Sequence, residues 1–300
     1  MCILTAEEEE MDRRIHEAWL KIGKTNIFAR HTRPGFQVVV YSMAIASRTR
    51  AAMILPLPVV PGSGEEALNF IDLSGYPEFF EDVYRACAPE TLMVSFEDDD
   101  LGAADEAPPL VVHEVGDFEA SYVPTMADFH RLDPRFRLAD EVWKKMPDYS
   151  DYGFAVFQLK LTLSDEGDEK TNNVHPMAFE FPTRDSEQLF YPTVHVHDGD
   201  YHEEAGFLHT FYCQRENART EFEYRRARME GVEPAPVAHI TEILEPGLGH
   251  DWFLTSGPAI ASEVLKIDQC QGIVDPDKSL HGMNFFGTFP NLDVWIGTTG

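Results

Sequence analysis

Four of the chain's twelve histidines fall within fifteen residues. The run Thr193-Val194-His195-Val196-His197-Asp198-Gly199-Asp200-Tyr201-His202 carries three of them, and His209 follows. Asp-Gly flanked by extended residues is the signature of a two-residue type I′ hairpin. With Asp198-Gly199 as the loop, His197 faces Asp200, Val196 faces Tyr201 and His195 faces His202, so His195, His197, Asp200 and His202 project from one side of the ribbon. Neutral imidazoles with a carboxylate are a ligand set for zinc, iron, copper or manganese. Three histidines with an optional Asp leave a position for water, as metal-assisted hydrolysis or oxygen chemistry requires. His209 adds a ligand or a supporting partner if the next strand returns beside the hairpin. Cys213, four residues further on, shares the strand face of His209. The competing reading takes Val194, Val196 and Tyr201 as the apolar side and leaves the His/Asp side solvated, and a longer loop would shift the register and separate the residues.

Cys2 is a second candidate. Removal of Met1 would leave an α-amine beside a thiol, the arrangement of N-terminal-nucleophile amidohydrolases. No partner motif follows, the run Glu7 to Glu10 would raise the thiol pKa, and a small buried residue opening a strand is the plainer reading. His175-Pro176 and His113-Glu114 are isolated and read as structural. Glu97 to Asp100 lacks the spacing of a calcium loop, and the arginines of Arg215 to Arg228 have Glu216, Glu221 and Glu223 as internal partners. There is no P-loop, no dinucleotide-type glycine fingerprint and no G-x-S-x-G elbow, so no nucleotide cofactor is expected.

The elements that must position these residues are mostly strands. Glu7 to Lys21 reads as an amphipathic helix ending near Gly23. Thr25 to Ala29, Phe36 to Ile45 and Ala52 to Val60 read as strands, the last an edge or a strand ended early by prolines 56, 58 and 61. Helical spacing marks Gly64 to Leu73 and Pro77 to Cys87. An acidic, small-residue stretch from Glu97 to Pro109 reads as a solvated loop. It is the one point at which a single domain of residues 1–300 could divide, into 1–96 and 110–300. Beyond it come a strand near Leu110 to Glu114 and short helices near Thr125 to His130 and Leu138 to Lys145. Strands follow at Tyr152 to Leu163, Met177 to Phe181, Leu189 to His197 and Phe207 to Cys213, with a polar loop over Ser164 to Asn173. Arg215 to Glu230 reads as an exposed arm. Strands and helices do not alternate as βαβ units would, so the fold class expected is α+β, mainly β, with antiparallel, sandwich-like sheets and short flanking helices.

Val38-Val39-Val40-Tyr41 followed by Met53-Ile54-Leu55-Pro56-Leu57-Pro58 resembles an uncharacterised family of bacterial domains of unknown function, in which a strand pair leads into an M-x-L-P-x-P turn. Ser74 to Phe80, Tyr152 to Phe157 and His175 to Phe179 are also similar, so that about half the chain is covered in order. The resemblance implies a β-rich fold and no assigned activity.

With 52 acidic against 24 basic residues in 300, the net charge is −28, which opposes nucleic acid and anionic membrane as partners. An apolar content of 43% supplies a core. The start of the chain lacks the basic and apolar parts of a secretory signal, and its four cysteines are far apart, which makes the cytoplasm the expected compartment. The function expected is metal binding or metal-dependent hydrolysis or oxidoreduction at the histidine hairpin. The alternatives are a non-catalytic binding or scaffold module and an N-terminal-Cys amidohydrolase.

Overall fold

The computed structural model describes residues 2–6, 20–47, 51–87, 113–116, 118–133, 137–159, 172–173, 175–215, 218 and 259–297. The expected helix Glu7 to Lys21 lies outside these except for Leu20 and Lys21, which open a strand. The acidic stretch 97–109 and most of the arm 215–230 and of the loop 164–173 lie outside them too.

Two sheets carry the fold. Strands β1 (Cys2–Ala6), β2 (Leu20–Arg33), β3 (Phe36–Ser47), β4 (Ala51–Leu57) and β5 (Asn69–Ile71) precede helix α1 (Phe79–Cys87). After it come β6 (His113–Val115), β7 (Phe118–Val123), β8 (Gly153–Leu159), β9 (Asn172–Asn173), β10 (Met177–Pro182), β11 (Gln188–Tyr191), β12 (His195–Val196), β13 (Glu204–Cys213), β14 (His281–Pro290) and β15 (Val294–Gly297). One sheet has the order β12-β1-β4-β8-β7-β6 and the other β14-β13-β2-β3-β10-β5, with β9 also on β3, while β11 and β15 form a separate ribbon. Pairing is antiparallel except for β1 with β12 and β13 with β2. Strands from before and after the acidic stretch pair within both sheets.

The layers follow from period-two burial. On β3, Val39, Tyr41 and Met43 enter the central core while Val38 and Val40 face a second cluster containing Phe79, Phe80 and Val83 of α1. On β4, Met53, Leu55 and Leu57 meet the same central core while Ala52 and Ile54 face the helical turns of 126–149. Both faces are therefore covered at β3 and β4, which is why Val38 to Tyr41 and Met53 to Leu55 are continuous apolar runs. The result is the expected α+β, mainly β, sandwich-like arrangement with short flanking helices.

Several local expectations change. Gly64 to Leu73 is not helical: Gly62 and Gly64 take positive φ, and Asn69–Ile71 pairs with β10, which fixes an extended backbone in place of the helix suggested by spacing. Pro56 is tolerated because β1 pairs only with Ala51 to Ile54, leaving β4 a single neighbour at that position. The expected strand Leu189 to His197 breaks into β11 and β12 at Pro192, which has no N–H to donate to a ladder.

Candidate functional site

The histidines do not sit on a hairpin. Gly199 does take φ +76, and the Asp200 N–H donates to Asp198 Oδ1 at 3.0 Å, so the turn exists. Residues 200–202 nevertheless do not pair with β12, whose ladder runs parallel to β1, with Cys2 opposite His195 and Ile3 opposite Val196. The physical reason is Asn291, 1% exposed, in the connection from β14 to β15. Its Oδ1 accepts from His195 N at 2.7 Å, and its Nδ2 donates to His195 O at 2.9 Å and to His202 O at 2.8 Å. A side-chain amide thus takes the hydrogen bonds that a hairpin would have made between the two limbs. Two residues on, Asp293 Oδ1 accepts from Thr193 N at 2.7 Å and Val194 N at 3.1 Å, and Thr193 Oγ1 donates to Leu292 O at 2.8 Å. Asn291 and Asp293 organise this region, and nothing in the sequence near the histidines announces them.

The five expected ligands separate into two groups. Asp200 pairs with Lys145, whose hydrogen bond holds the carboxyl below its ordinary range. His202 is exposed and meets Asp198 Oδ2 at 2.7 Å. His195, His197 and His209 come together instead. The His195 ring stacks on His197 at 4.8 Å between centroids, on Phe207 at 4.8 Å and on His209 at 4.9 Å. Phe207 and His209 alternate on β13, so the stack joins the edge of one sheet to the inner strands of the other. Among the described residues no group of three or more His, Cys, Asp or Glu side chains is placed to hold a metal ion. Cys213 is buried in the central core on the same strand as His209.

The electrostatics are those of a dry aromatic cluster. Burial, with repulsion from His209 and His197 added, pushes the His195 imidazole down to about 2. Burial pushes His209 down to about 3, and it lowers His197 to about 4 against the opposing pull of Asp198. His195 and His197 keep some exposed surface, and His209 is only 2% exposed. The ring atoms decide the matter: His197 Nε2 and His209 Nδ1 are sealed from solvent with no hydrogen-bond partner. All three rings are neutral at ordinary pH.

His195 Nε2 stands 3.3 Å from His209 Nε2, so between these two neutral rings one nitrogen carries the N–H and the other the lone pair. Such rings are poor general bases at neutral pH, because their affinity for a proton is too low, yet each neutral ring keeps a lone pair that can bind a cation.

No family model and no curated protein matches the chain. Among solved structures the chain is similar to baculovirus P35, at 9% identity and a TM-score of 0.43 over 94% of this chain and 98% of that one. It is also similar to a caspase-8/P35 complex, at 9% identity and 0.41 over 96% and 98%. A mutated baculovirus P35 after caspase cleavage aligns at 10% identity and 0.38 over 92% and 100%. At these scores neither fold nor function is carried across.

Proposed function

We propose that the chain is a non-catalytic binding module that takes up an extended segment of a protein partner along β14. The observation that carries this reading is the character of that strand. Among the described strands β14 is the outermost of its sheet, is ten residues long and contains no Asp, Glu, Lys or Arg. The other outermost strands, β5, β6 and β12, are two or three residues long. Long, uncharged outer strands present a row of backbone donors and acceptors, and strand addition is the way such edges are used. Leu208, 49% exposed, lies opposite Phe286 in the β13–β14 register and gives the added segment an apolar foothold. The net charge of −28 favours a neutral or basic segment. Membership of the bacterial family resembled by residues 38–58 is part of this proposal and is compatible with a module that has no activity of its own.

The test is hydrogen exchange with and without a bound partner, selected from displayed extended peptides or taken as a defined protein. Caspase-8, present with P35 in one of the structures above, serves as one such probe. Protection of amides 281–290 on binding, with at least tenfold weaker binding of Leu208→Glu combined with Phe286→Glu, is the expected result. Unchanged exchange in β14 on binding would overturn the reading. The amidohydrolase alternative has a separate precondition: an intact mass retaining Met1 removes it.

A further inference from the structure

We propose that residues 195–202 form an acid-sensitive flap, which opens when its buried imidazoles take up protons and uncovers the Phe207 ring between the two sheets. This inference is independent of the β14 reading. Three observations carry it.

First, the segment is anchored at its two ends. Asp293 Oδ1 accepts from Thr193 N and Val194 N before it, and Asn291 N donates to Glu203 O at 2.8 Å after it. Between these anchors β12 pairs with two residues of β1, and Val196 and Tyr201 pack under the helical turns. The side-chain amide of Asn291 and the stacked rings complete the closure, and His195 lies flat on Phe207, which is 3% exposed. Second, the stack has no place for an added proton. A protonated imidazole donates from both nitrogens, yet His197 Nε2 and His209 Nδ1 are sealed with no hydrogen-bond partner, so a cation on either ring leaves a buried donor unpaired. The 3.3 Å contact between His195 Nε2 and His209 Nε2 accepts one proton and no second. Burial accordingly holds His195, His197 and His209 down to about 2, 4 and 3.

Third, the described groups around the rings do not offset the charge. Asp198 pulls on His197, but its Oδ2 is engaged by His202 and its Oδ1 by Asp200 N. Asp200 pairs with Lys145, and Glu203 and Glu204 are exposed at the base of the flap. Opposite His209 stand Thr25 on β2 and Phe285 on β14, and opposite β12 stand Cys2 and Ile3 on β1, so no carboxylate enters from these ladders. Water supplies what the stack lacks. A ring that reaches water regains a value near 6.5, so at pH 5 each freed ring favours the open form by about 30-fold, and His195 with His197 by about 10³-fold relative to neutral pH. The open form binds more protons, so its population grows as pH falls.

The competing account is that acid loosens the whole fold at once. Hydrogen exchange of the full chain separates the two, with protection expressed relative to an unstructured chain at the same pH. The expected result is a fall in protection over residues 195–202 of at least about 100-fold between pH 7.5 and 5, with a much smaller fall over residues 38–41 of β3. His197→Gln is expected to reduce the fall over 195–202 by about 10-fold or more, and His202→Gln, at an exposed position, to leave it in place. Equal falls in the two segments, or a fall in His197→Gln as large as in the parent, would overturn the proposal. If His197→Gln does not fold, the comparison of the two segments in the parent chain decides. No partner is present in this test, so neither outcome bears on binding at β14.

Discussion

At the scale of single residues, the side chain that most shapes the histidine region is not a histidine. Asn291 makes three hydrogen bonds to the backbones of His195 and His202 while almost wholly buried. Replacing it with Leu leaves one N–H and two carbonyls without those partners, so a loss of about 2–4 kcal/mol in stability is expected from urea denaturation, with faster amide exchange over residues 193–203. A Leu variant as stable as the parent would show that water takes over these bonds. The histidines give a pH signature of known sign. Their folded pKa values, about 2, 3 and 4, lie below the ordinary histidine value near 6.5. Between those limits the unfolded chain binds more protons, so the stability they contribute is fully present above about pH 6.5 and declines as pH falls toward 4. Denaturation midpoints from pH 7.5 to 5 should fall, and His209→Gln should flatten that fall. The alternation of His and Val around Asp-Gly expects His195, His197 and His202 on one side, but only His195 and His197 lie together, while Asp200 and His202 meet Lys145 and Asp198, the former 55 positions away where local spacing cannot reveal it.

At the scale of elements, buried polar groups pin pieces that hydrophobic packing alone would let slide. Gln37 in β3 is fully buried, and its amide donates to Phe190 O at 2.7 Å and accepts from Phe190 N at 3.0 Å, fastening β11 to the sheet. Gln37→Leu should destabilise by about 2–4 kcal/mol, because both backbone groups of Phe190 lose their partner, and thermal melting measures it. Helix α1 is held in a similar way: the Tyr76 hydroxyl donates to Asp82 Oδ2 at 2.6 Å and accepts from Lys266 N at 3.1 Å. Tyr76→Phe keeps the ring against Phe79 and removes only the hydroxyl, so a loss of about 1–3 kcal/mol is expected, read by the denaturant midpoint with an unchanged m-value. The apolar runs and the helix at Pro77 to Cys87 are legible in sequence because their burial repeats every two or every three to four residues. The segment Gly64 to Leu73 misleads for the opposite reason, since an apolar spacing that suits a helix is overruled by the edge of β10.

At the scale of the whole molecule, a net charge of −28 means that folding brings like charges together. Added sodium chloride should therefore raise the melting temperature over the range in which the screening length shrinks from about 30 to about 10 Å, as scanning calorimetry would show, and a fall in the melting temperature over that range would place the dominant electrostatics in attractive ion pairs. No helix among the described residues is long and apolar enough to cross a membrane. The sequence by itself determined the strand-rich class, because that follows from residue types at short periods; that β3 and β4 are covered on both faces, and that His209 rather than His202 joins His195 and His197, came from the packing of distant strands. Only the tertiary structure decided that Cys2 lies beside His195, that Asn291 occupies the mouth of the supposed hairpin and that the imidazoles are neutral and closed in. Each depends on chain segments dozens to hundreds of residues apart meeting in one place, and on the exclusion of water that follows when they do.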